Sequence, residues 1–233
     1  ESQNLRIVVF AQPRDFDRFK PNDDTGGFFY HSVYGPRMMI GPSWSGSYTQ
    51  RILFHEYVHY LMNRRSTSNY PRWYSEGLAG VLEMTEVKSS SAVVGRVLPA
   101  MSLNDRMSLR DVVDTKFDDM DAGFYYTSWL MTHYFMIDSL NDIDRKRRAL
   151  DYIRRYDAGE DPIEAFQTAF EKSLDEMQQE IDAYARRPRY TVIEFPEVPY
   201  EGDLEREPIS EAEQLYLLGD IAVELGKRNA AYE

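Results

Sequence analysis

At residues 55–59 the chain reads His55-Glu56-Tyr57-Val58-His59, an H-E-x-x-H motif inside a stretch that contains neither Pro nor Gly. Ser45-Gly46-Ser47 supplies N-cap candidates, and the pattern predicts a helix over residues 48–65. Histidines four residues apart lie on one face of a helix, where they can share one tetrahedral metal ion. Glu56 stands beside the first imidazole and can act as general base. The alternative is a pair of core histidines satisfied by hydrogen bonds.

A third metal ligand is expected downstream, because catalytic zinc sites use three protein ligands and keep one open position. Glu76 follows His59 with sixteen residues between them, which leaves room for a turn and an antiparallel return helix beginning at 71–73. Gly77 and Ala79 are small and allow that helix to approach the first one closely. In the alternative, Glu76 is a surface carboxylate and Glu83 is the ligand. The other histidines, His31 and His133, belong to no extended zinc motif.

Composition excludes several other classes of protein. The chain has no cysteine, so a metal must be held by His, Asp or Glu. Its formal net charge is −12, which disfavours binding to nucleic acid or to an anionic membrane surface. No apolar run has the roughly 18 residues needed to span a bilayer.

The remaining patterns predict an α+β fold that opens with three short strands. A β-hairpin or ordered loop is expected over 86–98, and mostly helical structure from Gly123 onward. A strongly apolar helix should cover 124–137, followed by helices capped by Asn141, Asp161 and Ser173. The three opening strands are expected at 5–10, 28–34 and 37–40, and a strand-like connector at 189–195. We predict a catalytic domain over 1–195, an acidic Pro-containing linker over 196–209 and an amphipathic helix within 210–233, whose apolar face carries Leu215, Leu218, Ala222 and Leu225.

The motifs resemble those of a known group of enzymes. The H-E-x-x-H motif followed by Trp73-Tyr74-Ser75-Glu76-Gly77-Leu78-Ala79 resembles the gluzincin clan of zinc metallopeptidases. The match is closest to the peptidase MA-like domain of bacterial proteins, which often stands beside tetratricopeptide repeats. This resemblance covers residues 5–187 and implies a thermolysin/aminopeptidase-like zincin. Such a fold has a small N-terminal β-sheet, a zinc-binding helix pair and a mostly helical C-terminal subdomain. It also implies one zinc ion per chain, held by His55, His59 and Glu76.

The resemblance further implies a tyrosine on a later helix that donates to the developing oxyanion. Tyr125 fits that position, with Ser128 as the small residue of the pattern, and Tyr126 is the alternative. The G-x-M-E-N loop with which exopeptidases of the clan grip a free amino terminus is missing from this sequence. Residues 35–41 occupy its place, and we expect an edge strand there to pair with an extended substrate.

These inferences predict zinc-dependent hydrolysis of peptide bonds, by an endopeptidase rather than an aminopeptidase. The alternative is a catalytically silent, peptidase-like binding module with a structural zinc. The expected partner is a peptide or protein substrate, with neither nucleic acid nor an integral membrane segment. Residues 215–220 look like the first helix of a tetratricopeptide repeat, which would recruit a protein partner. Family habit slightly favours a periplasmic or secreted location over a cytoplasmic one.

Overall fold

The structure is a computed structural model that describes residues 4–23, 25–32, 35–42, 45–65, 68–97, 106–115, 120–196 and 210–226. Its fold is α+β, as predicted, and two compact units are distinguished by their internal contacts. The first unit comprises residues 1–57 and 198–233, and the second comprises 58–197. In chain order the elements are β1 (Arg6–Val9), α1 (Pro13–Asp17), β2 (Gly27–Ser32), β3 (Gly35–Ile40), α2 (Gly46–Arg65), α3 (Arg72–Glu83), β4 (Glu86–Val87), β5 (Ser91–Val94), α4 (Leu109–Asp114), α5 (Ala122–Thr132), α6 (Ile143–Asp157), α7 (Pro162–Phe170), α8 (Leu174–Ala185), β6 (Ile193–Pro196) and α9 (Glu211–Glu224).

The sheet of the first unit contains the three predicted opening strands in the order β1-β3-β2. Strand β3 pairs in parallel with β1 and antiparallel with β2. The expectation of an edge strand at residues 35–41 is therefore wrong, because β3 is the central strand and its backbone is paired on both sides. Burial agrees with this position, since Met38, Met39 and Ile40 are each 0% exposed.

Helix α9 packs within the first unit, on a cluster that includes Phe10, Phe16 and Met39. Ile221 and Ala222 provide its fully buried contacts. Leu215 was expected on the apolar face, but it is 64% exposed, because the contact involves the C-terminal half of the helix. The proposed likeness of this helix to a tetratricopeptide repeat stays a prediction, and residues 197–209 of the predicted linker lie outside the described residues.

A buried ion-pair cluster also ties α9 to β3. The Arg37 guanidinium is 3% exposed and donates to Asp220 Oδ2 at 2.6 Å, while its Nε lies 3.1 Å from Glu224 Oε2. The Tyr30 hydroxyl of β2 donates to the same Glu224 oxygen at 3.2 Å. Burial, with the neighbouring Glu224 charge, raises the pKa of Tyr30.

The second unit is mostly helical and carries a small sheet of its own. Strands β4 and β5 form the predicted hairpin, and β6 pairs antiparallel with β5, so the predicted strand-like connector joins this sheet. The apolar helix expected over 124–137 is α5 followed by a π-helical turn, His133–Ile137, and a 3-10 turn, Asp138–Asn141. The core beneath them is aromatic, with Trp73, Trp129 and Tyr152 among its fully buried members.

Helix starts in the second unit follow the predicted capping chemistry, with one correction. Asp161 and Ser173 accept hydrogen bonds from the first turns of α7 and α8, as expected. Asn141 does not cap α6, because it ends the preceding 3-10 turn. Asp142 takes that role, accepting from the Arg145 backbone N–H at 3.0 Å. Within the described part of the chain, no helix combines the length and apolarity required to cross a bilayer.

Candidate metal centre

The H-E-x-x-H motif lies in the middle of α2, the longest described helix. Its start is capped as predicted, because the Tyr48 backbone N–H donates to the Ser45 hydroxyl at 3.3 Å. One continuous helix carries both histidines, so their i, i+4 spacing sets the two imidazoles one turn apart on one face. The exposure of the apolar side chains varies along α2. Val58 and Tyr60 are each 5% exposed, whereas Tyr57 and Leu61 are exposed.

Helix α3 carries the downstream carboxylate and is held firmly against α5. It begins after Pro71, as predicted, and Trp73 anchors it in the core at 1% exposure. Gly77 makes the close approach possible, because a Cβ there would collide with the Ser128 carbonyl oxygen and the Thr132 hydroxyl of α5. A glycine directly after Glu76 therefore determines how deeply this part of α3 sits.

Three of the predicted site residues come together as potential ligands. His55, His59 and Glu76 each offer one donor atom, and these atoms lie within 4.8 Å of one another. Among the residues that the structure describes, these three are the one such group of His, Asp and Glu. Glu83, the alternative ligand, is the last residue of α3 and does not belong to the group.

The donor set fits a zinc ion. Zinc takes His nitrogen and carboxylate oxygen at about 2.0–2.2 Å in tetrahedral geometry, which separates neighbouring ligand atoms by roughly 3.4 Å. The His59 Nε2 atom and the Glu76 Oε2 atom are 3.5 Å apart. Their side chains are 17% and 11% exposed, and His55 is also only partly buried. All three side chains therefore keep some contact with solvent.

Ser75 also contacts this group, and no role was predicted for it. Its hydroxyl oxygen lies 3.3 Å from His59 Nδ1 and 3.8 Å from the Met62 sulfur. Ser75 precedes Glu76 on α3. These consecutive residues therefore lie next to the two different nitrogens of the His59 imidazole. This serine is part of the Trp73–Ala79 motif. Its position directly before the ligand Glu76 was the sequence feature that could have indicated its role.

The other predicted residues are placed as follows. Glu56 is partly buried next to His55 on α2. Tyr125 lies in the first turns of α5 and is 40% exposed, whereas its neighbour Tyr126 is 7% exposed and belongs to the hydrophobic core. The two side chains are neighbours on one helix and point in different directions, in agreement with this difference in burial.

The remaining histidines have other surroundings. His31 lies on β2 with its ring edge-on to Phe29. His133 is 0% exposed, with Nδ1 2.7 Å from the Tyr184 hydroxyl and Nε2 3.0 Å from the Gly95 carbonyl oxygen. Burial lowers the pKa of His133, so the neutral imidazole donates to Gly95 and accepts from Tyr184.

Comparison with known proteins identifies a family for this arrangement. The model of the Peptidase M9 family, described as Collagenase, matches residues 39–175. This match spans more than half of the 233 residues and contains α2, α3 and α5, with every predicted ligand and catalytic residue. A search of curated proteins found no match.

Proposed function

Because this chain belongs to the collagenase family of zinc metallopeptidases, we propose that it is an endopeptidase whose zinc ion is held by His55, His59 and Glu76. The observation that carries the proposal is the convergence of these three donor atoms within 4.8 Å. Two histidines from one helix and a glutamate from the next helix form the gluzincin ligand pattern. The donor geometry therefore supports that clan, with one ion per chain.

A zinc ion bound there would act as a Lewis acid, polarising the scissile carbonyl and lowering the pKa of a coordinated water to about 7. The protein's own contribution begins with the orientation of the ligands. Helix α2 holds the two imidazoles at a fixed spacing, and α3 brings the carboxylate to the second of them. The partly exposed side of the group admits the substrate.

Glu56 is the proposed general base. It follows His55 directly, so its side chain is turned by about 100° from that ligand and stands beside the metal group without joining it. Its carboxylate takes a proton from the attacking water and returns it to the nitrogen of the leaving amine. A carboxylate serves both steps because it is ionised before the attack and protonated after it.

Tyr125 is the proposed oxyanion donor. Its side chain is 40% exposed, so its hydroxyl can meet a substrate, whereas Tyr126 is committed to the core. One well-placed donor to the developing negative charge contributes roughly 3 kcal/mol to transition-state stabilisation.

Cleavage within a chain is supported by two observations. The matching family is described as Collagenase, a name for enzymes that cut inside a polypeptide. The sequence also lacks the loop that binds a free amino terminus in the aminopeptidases that share its motifs. Membership of a peptidase family favours hydrolysis over the alternative of a silent zinc-binding module.

The test of the metal and of the base uses two variants and one matched control. We expect elemental analysis to find about one zinc per parent chain and none in His59→Ala. Glu56→Gln should keep its zinc and lose hydrolysis of a gelatin or peptide-library substrate. Glu83→Gln serves as the control and should keep both properties, because Glu83 lies outside the ligand group. Hydrolysis by Glu56→Gln at the parental rate would remove Glu56 from the mechanism.

The position of cleavage is tested with paired peptides that differ only in an acetylated amino terminus. An endopeptidase cuts both members of each pair at similar rates and releases internal fragments. Release of single amino-terminal residues from the free peptides alone would show an aminopeptidase.

A further inference from the structure

We infer that Ser75 is the positioning residue for His59, and that its hydroxyl determines which imidazole nitrogen faces the metal. This inference rests on the proposed function, since it assigns a task within the same zinc site. It starts from the 3.3 Å separation between Ser75 Oγ and His59 Nδ1, and from the location of Glu76 on the opposite edge of the ring.

The effect of the contact between Ser75 and His59 depends on which of the two groups donates the hydrogen bond. An imidazole that binds metal through Nε2 must carry its proton on Nδ1, so Nδ1 has to donate to an acceptor. If the Ser75 hydroxyl accepts that hydrogen bond, Nε2 offers its lone pair on the side where Glu76 Oε2 lies, 3.5 Å away. If the hydroxyl donated to Nδ1 instead, Nε2 would carry the proton and could not bind the metal.

Met62 determines where the Ser75 hydroxyl directs its proton. Its sulfur lies 3.8 Å from Ser75 Oγ, within reach of a hydrogen bond from the hydroxyl. A thioether sulfur has no proton to give, so in this contact the serine can only donate. With its proton directed to Met62, the hydroxyl oxygen presents its lone pairs to His59. The chain of donors therefore runs from His59 Nδ1 to Ser75 and from Ser75 to Met62.

The backbone makes this arrangement rigid. Ser75 follows Trp73 by two residues and precedes Gly77 by two, and these are the positions that anchor α3 in the core and against α5. Met62 is on α2, three residues after His59, so the ring and the sulfur move together. A group held on both sides in this way fixes the orientation of the ring before any metal arrives.

The experiment measures zinc affinity by competition with a chelator, using the full chain, four single variants and one double variant. Ser75→Ala should bind zinc 10–100-fold more weakly than the parent, the usual effect of losing a partner of a ligand histidine. Ser75→Thr restores a hydroxyl at the same place and should recover affinity to within a few-fold. Ser90→Ala makes the same chemical change at the exposed hairpin tip and should bind as the parent does.

Met62→Leu conserves volume and removes the sulfur acceptor. It should weaken zinc binding less than Ser75→Ala does, and it should add nothing in the Ser75→Ala background, because both changes act through the same hydroxyl. Thermal unfolding of the metal-free proteins accompanies each titration. Similar melting temperatures show that the affinity changes arise at the ligand and not from a general loss of structure.

The outcomes separate this inference from the proposed function. Zinc binding by the parent and by Ser75→Ala with equal affinity would overturn the role of Ser75 and leave the metal site intact. Equal weakening in the Ala and Thr variants, with lowered melting temperatures, would show a packing role and overturn it as well. If the parent itself binds no zinc while the chain is folded, the proposed function fails first and this inference falls with it.

Discussion

Two glycines of α3 allow a sharp test of how the Glu76 ligand is placed. Alanine is favoured over glycine in a helix by about 1 kcal/mol, so the same gain is expected at Gly77 and at Gly80 if space permits. At Gly80 space does permit, because a Cβ would find its nearest neighbour, Trp129 Cδ1, at 3.5 Å. Gly80→Ala should therefore be neutral or stabilising by up to about 1 kcal/mol.

Gly77→Ala should behave oppositely. Its Cβ would collide with the Ser128 carbonyl oxygen, a backbone atom that cannot rotate away. Packed heavy atoms contact at about 3.5–4.0 Å, so α3 would have to move from α5 by on the order of 1 Å. Overpacking of this kind typically costs 1–3 kcal/mol, which offsets or exceeds the gain in helix propensity. Because Glu76 is the preceding residue, the displacement should also weaken zinc binding.

The assay is urea unfolding followed by circular dichroism, together with the chelator competition for zinc. We expect Gly77→Ala to be less stable than Gly80→Ala by about 1–3 kcal/mol and to bind zinc more weakly. Equal stability and equal zinc affinity of the two variants would refute the argument that the contact of α3 with α5 positions the ligand.

Three further substitutions test other parts of the structure. Tyr125→Phe should lower kcat by about 10²–10³ with little change in stability, measured by peptide hydrolysis; an unchanged kcat would exclude the oxyanion role. Arg37→Met leaves the Glu224 carboxylate, 8% exposed, without its cationic partner and with only the Tyr30 hydroxyl as a described donor. Breaking a buried pair costs about 3–5 kcal/mol, so urea unfolding should show a large loss, and Arg37→Met/Glu224→Met should recover much of it. A loss below about 1 kcal/mol would mean that the pair behaves like an exposed one. The lowered pKa of His133 means that the unfolded chain binds the proton more tightly, so stability is highest above the usual value of about 6.5 and falls below it. That fall approaches 1.4 kcal/mol per pH unit between the usual pKa and the folded pKa, and His133→Gln should remove it from the pH profile of unfolding; an unchanged profile would contradict the assignment.

Local sequence patterns predicted the helices of the candidate site. They did not predict which strands, distant in sequence, pair with one another. The i, i+4 histidines, the Pro71 start of α3 and the small residues after Glu76 are signals within a few turns of helix. The structure brings the donor atoms of His55, His59 and Glu76 together. The central position of β3 was missed because a strand's neighbours depend on register with distant segments. Apolar character alone gave no reason to choose between an edge strand and a centre strand.

Contacts between side chains were the second feature that the sequence did not predict. Ser75 is part of the recognised motif. Its contact with His59, however, depends on how closely α2 and α3 approach each other, and residue spacing does not predict that distance. Asp142 and Asn141 are both good capping residues, and only the structure shows that a 3-10 turn extends to Asn141, so that Asp142 caps α6. The attachment of α9 joins Arg37 to a partner 183 residues later.

That separation has a consequence for the time course of biosynthesis. At about 5–20 residues per second, the ribosome needs roughly 10–40 s to proceed from β3 to the helix that covers it. The metal-binding helices are complete long before then, whereas Met39 and its aromatic neighbours have no cover from α9 in the nascent chain. The sheet of the first unit is therefore completed by α9 only well after α2 and α3 have been made, and in that interval a chaperone can compete with α9 for the same surface.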